Sequence, residues 1–302
     1  MTQANINRGS FAGTRKIPFF KSRQGYQVVH DIIVYSLLVL LCAIFVFPFY
    51  WMVLSSLKNN LDIFLWPPKW LPIPPVWDNY PRALGDPILP FFPTFFLNTL
   101  RIVVLVLIGR MVSCVLVAYA FARLQANGKD ILFAVLLATM MIPSTVLLFP
   151  KYILFNYMGW VNTILPLVVP SFFGEAYAIF LMRQFFSSIP REIEEAARMD
   201  GCNTLQIITR IIVPLSTPVL VVIAIFTIKD NWNELFGPLL YLSNLNSYTM
   251  AIGLSFFNGQ FKVEMGMLMA ASVVVMLPLV IIFFVFQRAF VEGISLTGMG
   301  GR

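Results

Sequence analysis

The sequence predicts an all-α polytopic membrane protein with six transmembrane helices, and three observations carry that prediction. Of its 302 residues, 59% are hydrophobic and only 12% are charged, about half the charged share of an ordinary soluble domain. Runs with little or no charge recur six times, each close to the ~20 residues needed to cross ~30 Å of hydrocarbon. Lys and Arg are spread unevenly over the segments that join those runs. A backbone in lipid must satisfy its own polar groups, so the runs read as helices.

In order, the runs cover residues 32–57, 96–121, 131–149, 163–182, 213–240 and 266–286. The first is too long for a signal-peptide core and no small-residue cleavage pattern follows it, so it reads as a retained anchor. Residues 1–31 precede it as an N-terminal segment. Residues 58–93 form an external loop in which "WPPKWLPIPP" favours an extended ledge. Residues 94–290 hold the other five helices, and residues 291–302 form a tail. With the N-terminus inside, thirteen of the 21 Lys and Arg fall in inner segments and six in outer ones, while Arg101 and Arg110 lie within the second run. That bias places both termini in the cytoplasm. Trp51, Trp66, Trp70, Trp77, Trp160 and Trp232 then fall at or near the outer face, as an interfacial belt would.

The same counts exclude several functions. The net charge of +7 follows topology and gives no sign of a nucleic-acid partner. One histidine, His30, and three scattered cysteines, Cys42, Cys114 and Cys202, leave no metal site, triad or disulfide framework to expect. A chain that hydrolyses ATP needs a glycine-rich phosphate loop ending in Lys and Ser or Thr. Gly128-Lys129 is followed by Asp130 and lacks the spaced glycine before it. The chain is therefore no enzyme by itself, and transport energy must come from another chain or an ion gradient.

One stretch is out of character with the rest. Residues 188–214, "SIPREIEEAARMDGCNTLQIITRIIVP", place six charges between Arg191 and Asp200. Pro190 suits a first helical turn, and Glu192, Glu194 and Glu195 follow at the positive end of the dipole. Arg191–Glu195 and Glu194–Arg198 are i,i+4 pairs suited to an exposed helix. Gly201 stops it, and Asn203 or Thr204 caps a second helix with Leu205, Ile207, Ile208, Ile211 and Ile212 as its apolar face. Ala196, Ala197 and Gly201 form a small-residue patch that another backbone can approach. A solvated connector is the plainer alternative. A DNA-binding helix-turn-helix is disfavoured by the acidic balance.

The spacing Glu195-Ala196-Ala197, three residues, Gly201, nine residues, Ile211, one residue, Val213-Pro214 resembles the EAA loop of ATP-binding-cassette importer permeases. Val213 stands where that family usually has Leu. "AYAFAR" (118–123), "WNELFGPL" (232–239), "MAASVVVMLPL" (269–279) and "FQRAFVEGI" (286–294) extend the resemblance to maltose-type sugar permease subunits. The resemblance implies a multi-pass subunit of a prokaryotic cytoplasmic (inner) membrane that forms part of the path for a sugar or oligosaccharide. It implies a cytoplasmic coupling helix between the fourth and fifth spans, docking on a cytoplasmic ATPase dimer through Glu195, Ala196, Ala197, Asp200 and Gly201. A second, non-identical permease and an extracytoplasmic solute-binding protein complete the expected assembly, with ATP and Mg on the ATPase and no cofactor on this chain. The tail resembles one that reaches toward the ATPases, departing from it at residues 299–302. An importer of another small solute, an ion-coupled carrier and a membrane scaffold are the rival readings. A carrier would be expected to show duplicated halves, and none is visible.

Candidate path residues come from charge and amide groups at membrane depth. Arg110 and Glu175 sit near the middle of the second and fourth runs, either as a pair holding helices together or beside the path. Asn231, Trp232, Asn233 and Glu234 lie within "KDNWNEL", which combines an aromatic face with amide and carboxylate edges. The alternative there is an interfacial helix end with snorkelling charges and a belt tryptophan.

Overall fold

The computed structural model describes residues 23–85, 92–257 and 264–298, with side chains between residues 27 and 287 within those bounds. The expected N-terminal segment up to residue 22 and the last four tail residues lie outside the described residues. The chain divides into two units, residues 1–51 and 52–302. In the first, α1 (Arg23–Ser55) starts and runs through Pro48 without ending, and Phe47 stacks on Trp51 at 6.5 Å.

The last turn of α1 opens the second unit, which continues with α2 (Asn60–Ile63), α3 (Asn79–Gly85), α4 (Phe92–Arg123), α5 (Lys129–Thr139), α6 (Leu148–Tyr157) and α7 (Leu165–Val168). A 3-10 turn, Val169–Phe173, leads to α8 (Ala176–Ser188), then α9 (Arg191–Met199) and α10 (Thr204–Ile207). A π-helical turn, Ile208–Ile212, leads to α11 (Val213–Leu215), α12 (Thr217–Trp232), α13 (Phe236–Tyr241), α14 (Met250–Ser255) and α15 (Met265–Gly298).

Among the described residues four stretches are long and apolar enough to cross a membrane: Gln27–Ser55, Phe92–Arg123, Leu165–Ser188 and Met265–Gln287. A fifth, Thr204–Leu215 with Thr217–Trp232, is bent by 81°. The expected third span, residues 131–149, is not one helix. α5 ends at Thr139 and residues 140–147 turn before α6 begins. Pro143 explains the interruption, because it lacks an N–H and pushes the residue before it out of helical geometry. The expected fifth run likewise bends at Ser216, between Pro214 and Pro218, and its main helix stops at Trp232.

α4 is the centre of the second unit, packed on α3, α7, α8, α12 and α14. Small residues allow this. A Cβ on Gly109 would stand 2.4 Å from Ser171 Oγ and 2.6 Å from the Phe172 ring, so these two side chains of the 3-10 turn rest directly on the α4 backbone. Ser113 Oγ fixes the same crossing by donating to the Gly109 carbonyl (2.8 Å) and the Ser171 carbonyl (3.0 Å). One apolar core gathers Cys114, Ala118 and Tyr119 of α4 with Met182 and Phe186 of α8 and Ile207 and Ile212 beyond α9. A second lies at the opposite end of α4, where Phe95 and Val103 meet Trp232, Met250, Ala270 and Ala271, and a smaller third joins Ile102 and Val106 to Val168.

The expected ledge is a packed loop. The Val76 amide donates to the Leu57 carbonyl (2.8 Å), and buried Asn79 donates to the Ser56 and Lys58 carbonyls (2.8 and 2.9 Å). Lys58 is buried and donates to the Lys69 carbonyl. Desolvation pulls its ammonium below the ordinary lysine range, with nearby Asp62 opposing the shift. Trp66, Trp70 and Trp77 remain exposed on this loop.

Replacing Gly109 by Val should overpack the α4 crossing and destabilise the protein by about 1–3 kcal/mol. Thermal unfolding of the detergent-purified chain, beside an exposed-surface control such as Val112→Ala, measures it. An unchanged transition would mean the crossing can open freely.

Candidate functional site

The polar stretch folds as two short helices joined at a tight corner, and each turn of it has a local cause. Pro190 occupies the N-cap of α9, one position earlier than a first-turn proline. At the other end the Gly201 amide donates to the Arg198 carbonyl and the Cys202 amide to the Ala197 carbonyl, the paired bonds of a Schellman stop. Gly201 takes φ +85° and no described residue lies within 4 Å of where its Cβ would be. Backbone hand alone requires glycine there. Asn203, and not Thr204, caps α10, in a reciprocal capping box with Gln206 (2.8 and 2.9 Å).

α9 has two different faces. Inward, Ala197 is buried in the core shared by α4 and α8. Inward too lies Glu194, whose Oε1 stands 2.7 Å from Arg123 Nε at the end of α4, the two side chains being only 7% and 4% exposed. Neither atom makes an aligned hydrogen bond, so charge holds this contact. The Tyr119 hydroxyl donates to Glu194 Oε2 at 3.1 Å, and Arg123 Nη2 donates to the Ile189 carbonyl at 2.5 Å. The expected helical pairs Arg191–Glu195 and Glu194–Arg198 do not close among the described ion pairs, the second because Glu194 turns inward to a buried cation. Outward, Glu195, Ala196, Asp200 and Gly201 are exposed, and Met199 is 88% exposed.

A second feature lies at the far end of α8. After Gly174, at φ +87°, the Glu175 carboxylate caps α8 by accepting from the Tyr177 and Ala178 amides (3.0 and 2.8 Å), which favours a negative charge at a helix start. Glu175, Arg110, Tyr177, Phe226, Lys229 and Asp230 line a cavity of about 380 Å³. Arg110 Nη1 donates to Thr227 Oγ1 at 3.2 Å while its buried Nε has no partner. Arg110 and Glu175 thus share a cavity without forming an ion pair among the described residues. The pairing alternative is set aside, because the carboxylate is already committed to the helix cap.

The remaining expected path residues lie elsewhere. Trp232 is 3% exposed, donates from Nε1 to the Val275 carbonyl at 3.0 Å and packs edge-on against Phe96. It is a core residue and not part of an exposed belt. Asn231 and Asn233 donate to carbonyls of their own helix, Thr227 (2.8 Å) and Lys229 (3.0 Å). Glu234 accepts from the Gly237 amide at 2.9 Å and so starts α13.

The arrangement is a helix clamped from behind and bare in front, about 20 Å along α8 from a polar cavity. Its wider identity follows from comparison. The family described as binding-protein-dependent transport system inner membrane component matches residues 114–296, which include α9, the Arg123–Glu194 contact and the cavity wall beside Glu175 apart from Arg110. The chain belongs to that family. It is accordingly a multi-pass subunit of an inner membrane.

Relatives agree over most of the chain. A probable ABC transporter permease protein, YurM of Bacillus subtilis, is 31% identical over 82% of this chain and 82% of its own. A trehalose/maltose transport system permease protein, MalG of Thermococcus litoralis, is 30% identical over 87% of this chain and 95% of its own. The fold is shared with a crystal structure of a bacterial ABC transporter involved in import of the acidic polysaccharide alginate, at TM-score 0.78 and 23% identity, over 90% of this chain and 99% of that one. Family membership removes the ion-coupled carrier and the scaffold.

Sequence reasoning missed Arg123 and Tyr119 as partners of the polar stretch, and Tyr177 and Phe226 as cavity walls. Arg123 ends "AYAFAR", so its place beside a loop about 70 residues later had no local signal. Met199 could have been found, since an apolar residue at i+3 and i+4 from Ala196 and Glu195 on a polar face is out of pattern.

Gly201→Ala should cost about 1–2 kcal/mol through left-handed strain, while Gly201→Asn, which tolerates that region, should stay close to wild type. Paired thermal melts of the two variants decide it. Equal losses would show that α9 does not depend on this stop.

Proposed function

We propose that this chain is one permease subunit of an ATP-driven importer of a sugar or oligosaccharide. The observation that carries the reading is the outward face of α9. Glu195, Ala196, Asp200 and Gly201 stand exposed with Met199 beside them, on a helix whose other face is fixed to the core of a permease-family chain. Such a face suits a socket on a cytoplasmic ATPase: small residues admit a close approach, the acids meet basic partners, and Met199 fills an irregular gap. Ala197, the remaining residue of the triplet, serves from within by letting α9 lie close to α4.

On this reading α9 is cytoplasmic, both termini share its side, and the chain crosses six times. The third crossing consists of the interrupted α5–α6 segment and the fifth of the bent pair. ATP and Mg bind the partner ATPase dimer. A second permease completes the pore, and an extracytoplasmic binding protein, implied by the family's description, delivers solute. A sugar is favoured because the trehalose/maltose permease is similar over nearly its full length. The cavity walls agree, since Tyr177 and Phe226 offer ring faces beside the charged edges of Arg110 and Glu175. Asn231, Asn233 and Glu234 belong to the same end of α12 and α13 and shape the path by holding its helix ends, with Trp232 as their packed support.

The decisive experiment is purification of the chain from its native membrane, wild type beside Gly201→Asp. Aspartate tolerates the left-handed backbone and its Cβ meets none of the described residues, so the change falls on the outward face. Wild type should bring down an ATPase and a second permease; Gly201→Asp should keep the permease and lose most of the ATPase. Equal ATPase recovery from both would reject the docking face.

A further inference from the structure

We infer that the buried cluster of Arg123, Glu194 and Tyr119 is the joint that makes α4 move with α9, and that these three are positioning residues for transport. The inference rests on the coupling reading above.

The geometry supports a joint in three ways. First, Arg123 holds both sides of the corner, Glu194 inside α9 at 2.7 Å and the Ile189 carbonyl just before it at 2.5 Å. Tyr119, one turn earlier on α4, reaches the second oxygen of the same carboxylate. One hydrogen bond and one ion contact from α4 thus hold a single carboxylate of a helix only nine residues long, and a second hydrogen bond holds the chain just before that helix. Second, the choice of a charged grip needs a reason. A buried ion pair is weak evidence for stability, because well-packed apolar residues of the same volume commonly do as well. What an apolar contact lacks is a unique partner, since ridges can re-seat in the next groove one turn along, whereas a buried charge that leaves its partner is left uncompensated. A carboxylate held at both oxygens does not slide. Third, α4 has something to deliver. Arg110, on the cavity wall, lies thirteen residues before Arg123 on the same unbroken helix, ~20 Å along its axis. A push on the outward face of α9 therefore reaches the cavity through one rigid element.

The test uses the intact transporter with its own ATPase and second permease, in a cysteine-free background carrying spin labels at Arg191→Cys on α9 and Val112→Cys on α4. Both positions are exposed. Label distances are read without nucleotide and after trapping with ATP, Mg and vanadate. With the joint intact the distance should stay constant within about 2 Å. In Glu194→Gln the ATPase should still copurify and hydrolyse ATP, while the distance between the two states should differ by about one helical turn, ~5 Å. A turn-sized change in the unaltered transporter, or a constant distance in Glu194→Gln, would overturn the joint. Should Glu194→Gln fail to assemble, Arg123→Lys, which keeps the charge but loses the fork that spans both partners, is read by the same criterion. Loss of the ATPase from the unaltered complex would instead refute the coupling reading, and the joint would fall with it. If the ATPase remains bound and Glu194→Gln leaves the helices locked, only the joint is wrong.

Discussion

The structure depends on how closely other backbones can approach α4. That helix is 32 residues long and meets five other helices as well as the 3-10 turn. Ordinary side chains at every contact would hold those neighbours 8–10 Å away, axis to axis. Small residues at the crossings remove that spacing. Gly109 admits the Ser171 and Phe172 side chains, Cys114 lies against the start of α8, and Ala118 and Ala122 open the far end to α8 and the elements beyond α9. In lipid this matters more than in water, because apolar surface gains little by leaving hydrocarbon and association must come from contact and hydrogen bonding. The larger face of α4, with Leu97, Val104, Ile108 and Val112, is left exposed.

Breaks in the helices are tolerated on the same terms. A helix end that frees N–H groups at membrane depth is costly unless the chain satisfies them. At Gly174 the chain stops, reverses hand and restarts, and Glu175 supplies both carboxylate oxygens to the amides set free. Near Pro214 and Pro218 the donors are simply missing, and the 81° bend falls between them. Each break does something with its position. The first puts a carboxylate, Tyr177 and the start of a helix around a cavity, and the second turns the chain from the polar corner back along α4. A straight α7–α8 helix would have no cavity at that point.

What could be read in the sequence was what depends on near neighbours in the chain. Apolar length and charge bias gave the membrane class, and the polar stretch gave two capped helices with a stop at Gly201 and a second cap narrowed to Asn203 or Thr204. The positions of α1, α4 and α15 were legible because each is one continuous helix over a predominantly apolar run. Residues 131–149 misled because hydropathy cannot distinguish a span from two pieces around Pro143. Trp232 misled because composition near a span end suggests a belt, while burial is decided by Phe96 and Val275, residues far away in the chain. Glu194 misled for the same reason. Read along its own helix it should pair with Arg198, and only the fold reveals Arg123 as a better partner, already desolvated and fixed.

That exchange of partners explains why the triplet on α9 divides its work. If Glu194 had stayed on the surface with Arg198, α9 would be an amphipathic segment held by Ala197 alone, and a pull on its outer face could lift it away from the core. With Glu194 buried, the side chains that hold the helix and those left free for a partner lie on opposite faces and share no atoms. Glu195, Ala196 and Gly201 can then be shaped by the partner's surface without disturbing the fold, and Ala197 with Glu194 by the fold without disturbing the partner. The acids differ accordingly although they are neighbours. Glu195 keeps its hydration until a partner removes it, whereas Glu194 has already lost its own and would be left as an unpaired buried charge if Arg123 withdrew, a loss of about 3–5 kcal/mol. The two glutamates are alike in sequence and opposite in task, and the ~100° turn between successive residues of a helix is what separates them.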